Sequence, residues 1–425
     1  SPWGNDAVSF CAGHWVRPHR DGAGLGVFRD AAENAARKVE GRVKIAMVSP
    51  YDWCVEGGVK SHIAHLAAYF REWGHEVTIF APASIPDRAR GEVVVMGKPV
   101  SMRVSGSVAR ITFAWKSPEV KRVFQDYQFD IVHLHEPLMP LLPYHFLRYS
   151  KSVNVGTFHA AKEGGNRFYG YTAPLTKRWF RKLDGKIAVS PAAVNLVSRY
   201  FAGYFNIIPN GIDYEHFAAP CEPMPEFMDG RQNILFVGRP EKRKGLKYLL
   251  RAYLRIREQM PNTRLIVVGA GDFTRYERLF ARFEDVVFRP NVPYADLPRY
   301  HRSATVFCCP NTGNESQGYV LLEALASGGA VVASNIEGFA GVMTHEEEGL
   351  LVQPRDPEVI AAAIMRLLRN PRLRKELSAK GTALAHHYSW DNVAHRVLSY
   401  YERLLYEHKQ VAETRARRKL AASEG

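Results

Sequence analysis

Two glutamates, a lysine and an arginine have types and spacings suited to chemistry. In NESQGYVLLEALASGGAVVAS, Asn314 to Ser334, Glu315 stands in a polar turn and Glu323 lies eight residues on, in the second turn of the helix that follows. Asn314 or Ser316 is placed to cap that helix, which leaves the N–H groups of Gly318, Tyr319 and Val320 for an anion. A carboxylate at that depth accepts from two vicinal hydroxyls, the usual ribose contact of nucleotide sites. Glu323 is flanked by Leu321, Leu322 and Leu325, and a carboxylate amid buried positions needs a partner. In GRPEKRKGLKYLL a strand ends at Val237, Gly238 and Arg239 open the loop, and Lys244-Gly245 stands just before a helix. Cations and backbone N–H groups at a helix N-terminus make a polyphosphate site. A surface acid and a solvated basic loop are the plain alternatives, and neither stretch decides alone.

Two further places carry signals. In EGGVKSH, Gly57 and Gly58 follow the turn after the first strand and precede a helix; glycine lets a backbone approach a phosphate or sugar. The pattern is not G-x-G-x-x-G, so a nicotinamide or flavin site is not indicated. His159 ends the apolar run VNVGTFH, and strand C-termini are where α/β sites assemble. His133 and His135 alternate in DIVHLHEP ahead of Glu136 and read as packed or supporting side chains. The chain has no D-x-D triplet. A metal-bridged diphosphate is therefore not expected, and Arg239, Lys244 and the helix terminus are left to bind it.

The elements that position these residues alternate along the chain. VKIAMVSPY is a buried-strand pattern, the helix IAHLAAYFREWG follows the glycine turn, and EVTIFAPAS, DIVHLHEP, VNVGTFH, KIAVS and NIIPNGID continue the series. After Pro209-Asn210-Gly211 the alternation restarts with ILFVGR, LIVVGAG, VVFRPNV, TVFCCP and AVVAS. Strand–helix alternation predicts doubly wound parallel sheets, here two: residues 43–212 and 213–385. Residues 1–42, Gly-rich and then charged, read as a partly disordered extension; 386–425 read as helices that return to the first domain and end in a basic tail. At 425 residues more than one domain is expected. The formal charge of +14 suggests a polyanionic partner, yet no helix-turn-helix, RNP or zinc pattern supports nucleic acid. Five cysteines without metal spacing fit a reduced compartment, and the amino end shows no signal-peptide core.

These motifs together, Glu315 and Glu323 in E-x7-E, G-R-x4-K-G, the early G-G-V and I-P-N-G-I-D, resemble retaining glycosyltransferases of family four with the two-domain GT-B fold: an α/β chain of two Rossmann-like domains facing a cleft. SPYDWCVEGGVKSH, GSVAR, HLHEP and CCPNTGNES are most similar to phosphatidylinositol α-mannosyltransferases. That resemblance implies a retaining, metal-independent hexosyl transfer without a cofactor, from GDP-mannose to a phosphatidylinositol-type lipid at the cytoplasmic face of the cell membrane. It implies that Arg239 and Lys244 hold the diphosphate, Glu323 the ribose, Glu315 the sugar and Gly58 the phosphate, with His159 beside the sugar and Val292 flanking the base. It further implies that Ser107 and Arg110 bind the inositol phosphate, with Tyr51 nearby. Lys60 and Ser105 stand where the family carries Gln and Asn, a departure on the acceptor side.

An enzyme of this kind must reach the lipid surface. In TAPLTKRWFRKL a helical wheel puts Leu175, Trp179, Phe180 and Leu183 on one side and Lys177, Arg178, Arg181 and Lys182 on the other, the pattern of a basic interfacial helix. Packing of the apolar side on the first domain is the alternative. The rival functions are a UDP-sugar transferase acting on another lipid or a soluble sugar, a basic nucleic-acid-binding protein, and a catalytically silent scaffold of the same fold.

Overall fold

Strands that are apolar on both faces need cover on both sides, and this chain supplies it with two helix-flanked parallel sheets. The structure, a computed structural model, describes residues 41–422 apart from 98, 105–106, 113–116, 140 and 163. By its contacts the chain divides into Ser1–Arg42 and Val43–Gly425, and every element below belongs to the second.

The first sheet holds β1 (Lys44–Val48), β2 (Glu76–Ala81), β3 (Val94–Val95), β6 (Ile131–His135), β7 (Val153–Phe158), β8 (Gly185–Ala188) and β9 (Asn206–Ile207) in the order β3-β2-β1-β6-β7-β8-β9. A separate antiparallel hairpin pairs β4 (Pro99–Val104) with β5 (Ser107–Thr112). The second sheet holds β10 (Gln232–Val237), β11 (Thr263–Gly269), β12 (Val286–Pro290), β13 (Val306–Cys309), β14 (Val331–Ser334) and β15 (Leu350–Val352) in the order β12-β11-β10-β13-β14-β15. Strand order reverses between β1 and β6 and between β10 and β13, and such switch points open a crevice at the strands' carboxyl ends. The loops after β1, β6 and β7 carry Tyr51, Glu136 and His159; those after β10 and β13 carry Arg239 and Glu315.

The long helix Trp390–Ala421 starts at Ser389, whose side chain accepts from Asn392 N–H, and returns to the first half. Its Trp390, Val393, Val397, Tyr401 and Leu404 share one core with Ile45 and Met47 of β1 and Ile63, Leu66 and Phe70 of the helix Gly58–Glu72. The crossing is close at Gly211, where a Cβ would stand 2.4 Å from the Trp390 ring. Cys308 and Cys309 are buried in β13 as small apolar residues, their thiols pushed up by burial.

The stretch TAPLTKRWFRKL departs from its expected two-sided wheel. The helix Arg167–Phe180 is capped by Asn166, which accepts from Phe168 N–H. Phe180 and Leu183 are buried with Phe158 and Phe201 in a second core of the first half, beside Ala46 and Val48 of β1, Trp179 lies parallel to Tyr144, and the Lys182 ammonium donates to the Leu147 carbonyl. Leu175 alone of the expected apolar set faces out, 76% exposed, beside Tyr171 at 81%. Lys177, Arg178 and Arg181 are exposed on the same outer surface. The physical reason is core demand: the rings nearest β7 fill the space under the sheet, and the outer ridge mixes apolar and cationic residues. Among the described residues no helix is long and apolar enough to cross a membrane.

Candidate active site

In the second half, glycines let two loops meet. Gly245 has φ +73, and a Cβ there would lie 1.8 Å from the Pro310 carbonyl oxygen. The loop after β10 therefore lies directly on the loop after β13. Arg243 Nη1 and Lys244 Nζ each stand 2.9 Å from Glu315 Oε2, and Asn311 Nδ2 donates to the same oxygen at 2.7 Å. Arg243 also pairs with Glu241, as does the exposed Arg239. Behind them Gly338 makes room for the Glu315 backbone, since its Cβ would stand 2.1 Å from the Glu315 carbonyl.

The helix after this loop runs Tyr319–Ala326 and is capped differently from expectation. Its N-cap is Gly318, in the left-handed region at φ +84, with no side-chain cap. A Cβ at Gly318 would sit 2.3 Å from the Phe339 ring, so the turn demands glycine. Asn314 and Ser316 do not cap: Asn314 has φ +55, and the Ser316 hydroxyl meets Ser190 of the first half at 3.2 Å. Glu323 is 9% exposed, and burial pushes its carboxyl up to about 7 against the pull of Lys244. Tyr294 and Tyr319 are raised in turn, first by burial and then by the Glu323 charge. Val292 packs partly buried on the same core.

In the first half, Glu136 organises the loop ends. It sits at φ +51, buried, and its Oε1 accepts from the N–H groups of His159 at 2.7 Å and Ala160 at 2.8 Å, while Oε2 accepts from Tyr169. Burial raises its carboxyl and these donors pull it back. His159 Nε2 meets His135 Nδ1 at 3.1 Å, and burial drives His159 down to about 3, so the ring is neutral at neutral pH. Burial raises the Tyr51 phenol well above its ordinary value, with the Glu136 charge adding to it. Lys60 pairs with Glu56 at 2.6 Å and stands over Trp53. Ser107 and Arg110 fall on β5, opposite Val104 and Ser101; Ser105 lies outside the described residues.

The two loop sets face each other. Tyr319 Oη donates to the Gly58 carbonyl at 3.4 Å, and its ring lies against Gly58, where a Cβ would be 3.2 Å away. Gln317 pairs both ways with the Asn210 backbone, accepting from N–H at 2.7 Å and donating to the carbonyl at 2.9 Å. Glu315, Lys244, Gly318, Tyr319, Val320 and Glu323 thus gather on one side, with Gly57 and Gly58 opposite. Arg239 points to solvent with Glu241 as its partner. Sequence reasoning missed Arg243, Asn311, Gln317, Glu136 as an organiser, and Tyr294. Arg243 had a signal, its adjacency to Lys244; the others depend on contacts between distant segments.

Known proteins resemble the chain along most of its length. Residues 56–216 match the Glycosyltransferase Family 4 model and residues 225–383 the Glycosyl transferases group 1 model. A phosphatidyl-myo-inositol mannosyltransferase of Mycobacterium leprae is 35% identical over 370 residues, 85% of this chain and 96% of the relative. One from Propionibacterium freudenreichii subsp. shermanii is 31% identical over 376 residues, 84% and 94% of the two chains. Among solved structures, a glycosyltransferase from Rickettsia africae ESF-5 has a TM-score of 0.67 at 17% identity, covering 86% of this chain and 99% of its own. Sucrose-phosphate synthase from Thermosynechococcus elongatus has 0.66 at 21%, covering 86% and 100%. The structural matches give the GT-B fold, two Rossmann-like domains. The chain, a family 4 domain followed by a group 1 domain, belongs to the glycosyltransferase family of the phosphatidyl-myo-inositol mannosyltransferases.

Proposed function

We propose that this glycosyltransferase moves mannose from GDP-mannose, with retention, onto a phosphatidylinositol-type head group at the cytoplasmic membrane face. The observation that carries the reading is the convergence of Lys244, Glu315 and Glu323 on the amino end of the helix Tyr319–Ala326, opposite Gly58. The mannose donor and inositol lipid are drawn from what the relatives are named for.

On this reading the diphosphate lies at the helix N-terminus, where unpaired N–H groups and Lys244 neutralise the charge that grows as it leaves. Cations and backbone N–H groups take the part of a metal at the donor site, and no cofactor is needed. Glu323 accepts from the ribose hydroxyls, Glu315 from a hydroxyl of the sugar. His159, neutral through burial, serves as a hydrogen-bonding group beside the sugar, not as a proton source. The acceptor hydroxyl attacks from the side the diphosphate leaves and gives its proton to the departing phosphate oxygen. Tyr51, Lys60 and the β4–β5 hairpin with Ser107 and Arg110 receive the head group. The outer ridge of Tyr171, Leu175, Lys177, Arg178 and Arg181 meets an anionic surface, at about 1 kcal/mol per cation near the bilayer.

Thermal unfolding with GDP and with UDP, followed by transfer of labelled mannose from GDP-mannose to phosphatidylinositol, tests the reading. Stabilisation by GDP alone and a labelled lipid product are expected. Stabilisation by UDP alone would replace the donor, and nucleotide binding without lipid labelling would replace the acceptor.

A further inference from the structure

Outside the carboxylate–lysine cluster the first half holds a second set of ligating groups. His62 comes from the helix Gly58–Glu72, His135 from the end of β6, and His159 from the loop after β7. One ring nitrogen of each lies within 4.8 Å of the other two. His62 and His135 are buried, and His62 Nδ1 and His135 Nε2 are buried without a hydrogen-bond partner. Leaving buried polar nitrogens unpaired is costly, and two rings with such a nitrogen in a cluster this close point to a ligand that the three rings can share. A neutral imidazole offers one lone pair, the form a metal takes. No carboxylate is in the group, which disfavours magnesium or calcium; imidazole alone suits zinc, copper or nickel.

We propose that His62, His135 and His159 form a binding site for a divalent transition cation of the zinc type. Three imidazoles with a fourth position free is an established zinc arrangement. The hydrogen bond between His135 Nδ1 and His159 Nε2, 3.1 Å long, already brings two donors to about the separation that two nitrogens on one zinc adopt. Neighbouring groups hold the frame. His133 lies between Thr157 and Tyr401, bonded to both, and Trp390 packs edge-on against His62. The site is separate from the donor diphosphate cluster and asks nothing of it. Its bearing on catalysis rests on the reading above that His159 stands beside the reacting sugar: a cation that occupies its ring nitrogen then inhibits transfer.

The test uses the full chain, stripped with a chelator and dialysed. Zn2+ is titrated in competition with a chromophoric chelator, and Co2+ is added separately as a spectroscopic probe. A single tight Zn2+ per chain is expected, with the intense visible bands of low-coordinate cobalt. His62→Asn should weaken Zn2+ binding on the order of a hundredfold and abolish the cobalt bands, as should His135→Gln. His395→Asn, on an exposed helix face, should change neither. Thermal unfolding of the metal-free variants checks the fold; His62→Asn, on the helix Gly58–Glu72 and outside the sheet, carries the test if His135→Gln does not fold. Equal Zn2+ affinity in His62→Asn and the parent, or a cobalt spectrum like that of the hydrated ion, overturns the proposal. Tight binding that leaves transfer uninhibited keeps the metal site and removes His159 from the sugar.

Discussion

Glu323→Gln separates the cost of the donor site from its use. Glu323 is 9% exposed, and among the described residues its carboxylate has no hydrogen bond or ion pair; Lys244 acts on it only as a nearby charge. Its carboxyl is raised from 4.5 to about 7. The folded state therefore binds this proton more tightly than the unfolded state does. Stability from this group is full below the unfolded value and is lost as pH rises through the folded one. With each tenfold change in proton affinity worth about 1.4 kcal/mol, the ionised carboxylate costs the folded protein roughly 3 kcal/mol at neutral pH and above. Glutamine keeps the shape and cannot ionise.

The stability advantage of Glu323→Gln over the parent should therefore widen by about 2.5 kcal/mol between about pH 5 and about pH 8. Calorimetric unfolding of both proteins in parallel, without nucleotide, reads that difference, since all other titrating groups are common to the two. Over the same range GDP affinity should fall at least about tenfold, because two hydrogen bonds to a charged acceptor are weakened. A difference in stability that stays flat with pH refutes the burial argument. A variant that is stabilised yet binds GDP as the parent does refutes the ribose assignment while leaving the burial argument intact.

Other expectations follow from single contacts. Lys244→Ala should lower kcat/KM for transfer by at least about a hundredfold, roughly 3 kcal/mol of transition-state binding, in a steady-state assay with labelled donor. Gly318→Ala places a Cβ 2.3 Å from the Phe339 ring at φ +84 and should cost on the order of 2 kcal/mol of stability by calorimetry, with loss of nucleotide binding. Glu136→Ala orphans the His159 and Ala160 N–H groups, a loss of roughly 2–4 kcal/mol, and should lower kcat more than it raises the donor KM. Leu175→Glu should reduce sedimentation with anionic vesicles, and high salt should release the parent; equal binding of the parent to neutral vesicles would remove the electrostatic part.

What was legible in the sequence divides along the range of the forces involved. Both parallel sheets could be read because a strand buried on two faces must be largely apolar, and β1, β13 and β14 are. Lys244-Gly245 and Glu315 with Glu323 could be read as chemistry because each signal is complete within a dozen residues. The cap of the helix Tyr319–Ala326 was misassigned for a reason that lies far off in sequence: Phe339 presses on Gly318, and Ser190 claims Ser316. The wheel of Thr172 to Leu183 held only in part, and the alternative of packing on the first domain took Phe180 and Leu183. Periodicity separates apolar from charged residues, but it does not say which apolar residues a neighbouring sheet will take. Phe201 and Phe158 take Phe180, and Leu175 is left outside. Glu136 is the sharpest omission. Its role depends on donors 23 and 24 residues away, at a backbone angle that no sequence pattern announces.

The arrangement around Glu315 bears on how such a site waits for its substrate. Arg243, Lys244 and Asn311 all converge on Oε2, and among the described residues no donor reaches Oε1. Three donors on one oxygen fix the carboxylate plane and leave the other oxygen available to a sugar hydroxyl. The same contacts hold Lys244 in place before a diphosphate arrives, so its ordering entropy is already spent. Two cations against one carboxylate also leave the cluster positive, with Glu241 balancing Arg243 on its far side and Arg239 beyond it. A leaving diphosphate at the Gly318 turn would find that excess together with the unpaired N–H groups of the helix. Burial, which raises the Glu323 carboxyl, reduces the negative charge that it sets against that excess. On this argument Glu315→Gln is more damaging than loss of one sugar contact: it frees Arg243 and Lys244 from their shared acceptor. It should therefore raise the GDP affinity slightly while lowering kcat, a split measurable by nucleotide titration beside steady-state transfer. Equal losses in both would mean that Glu315 supports the nucleotide alone.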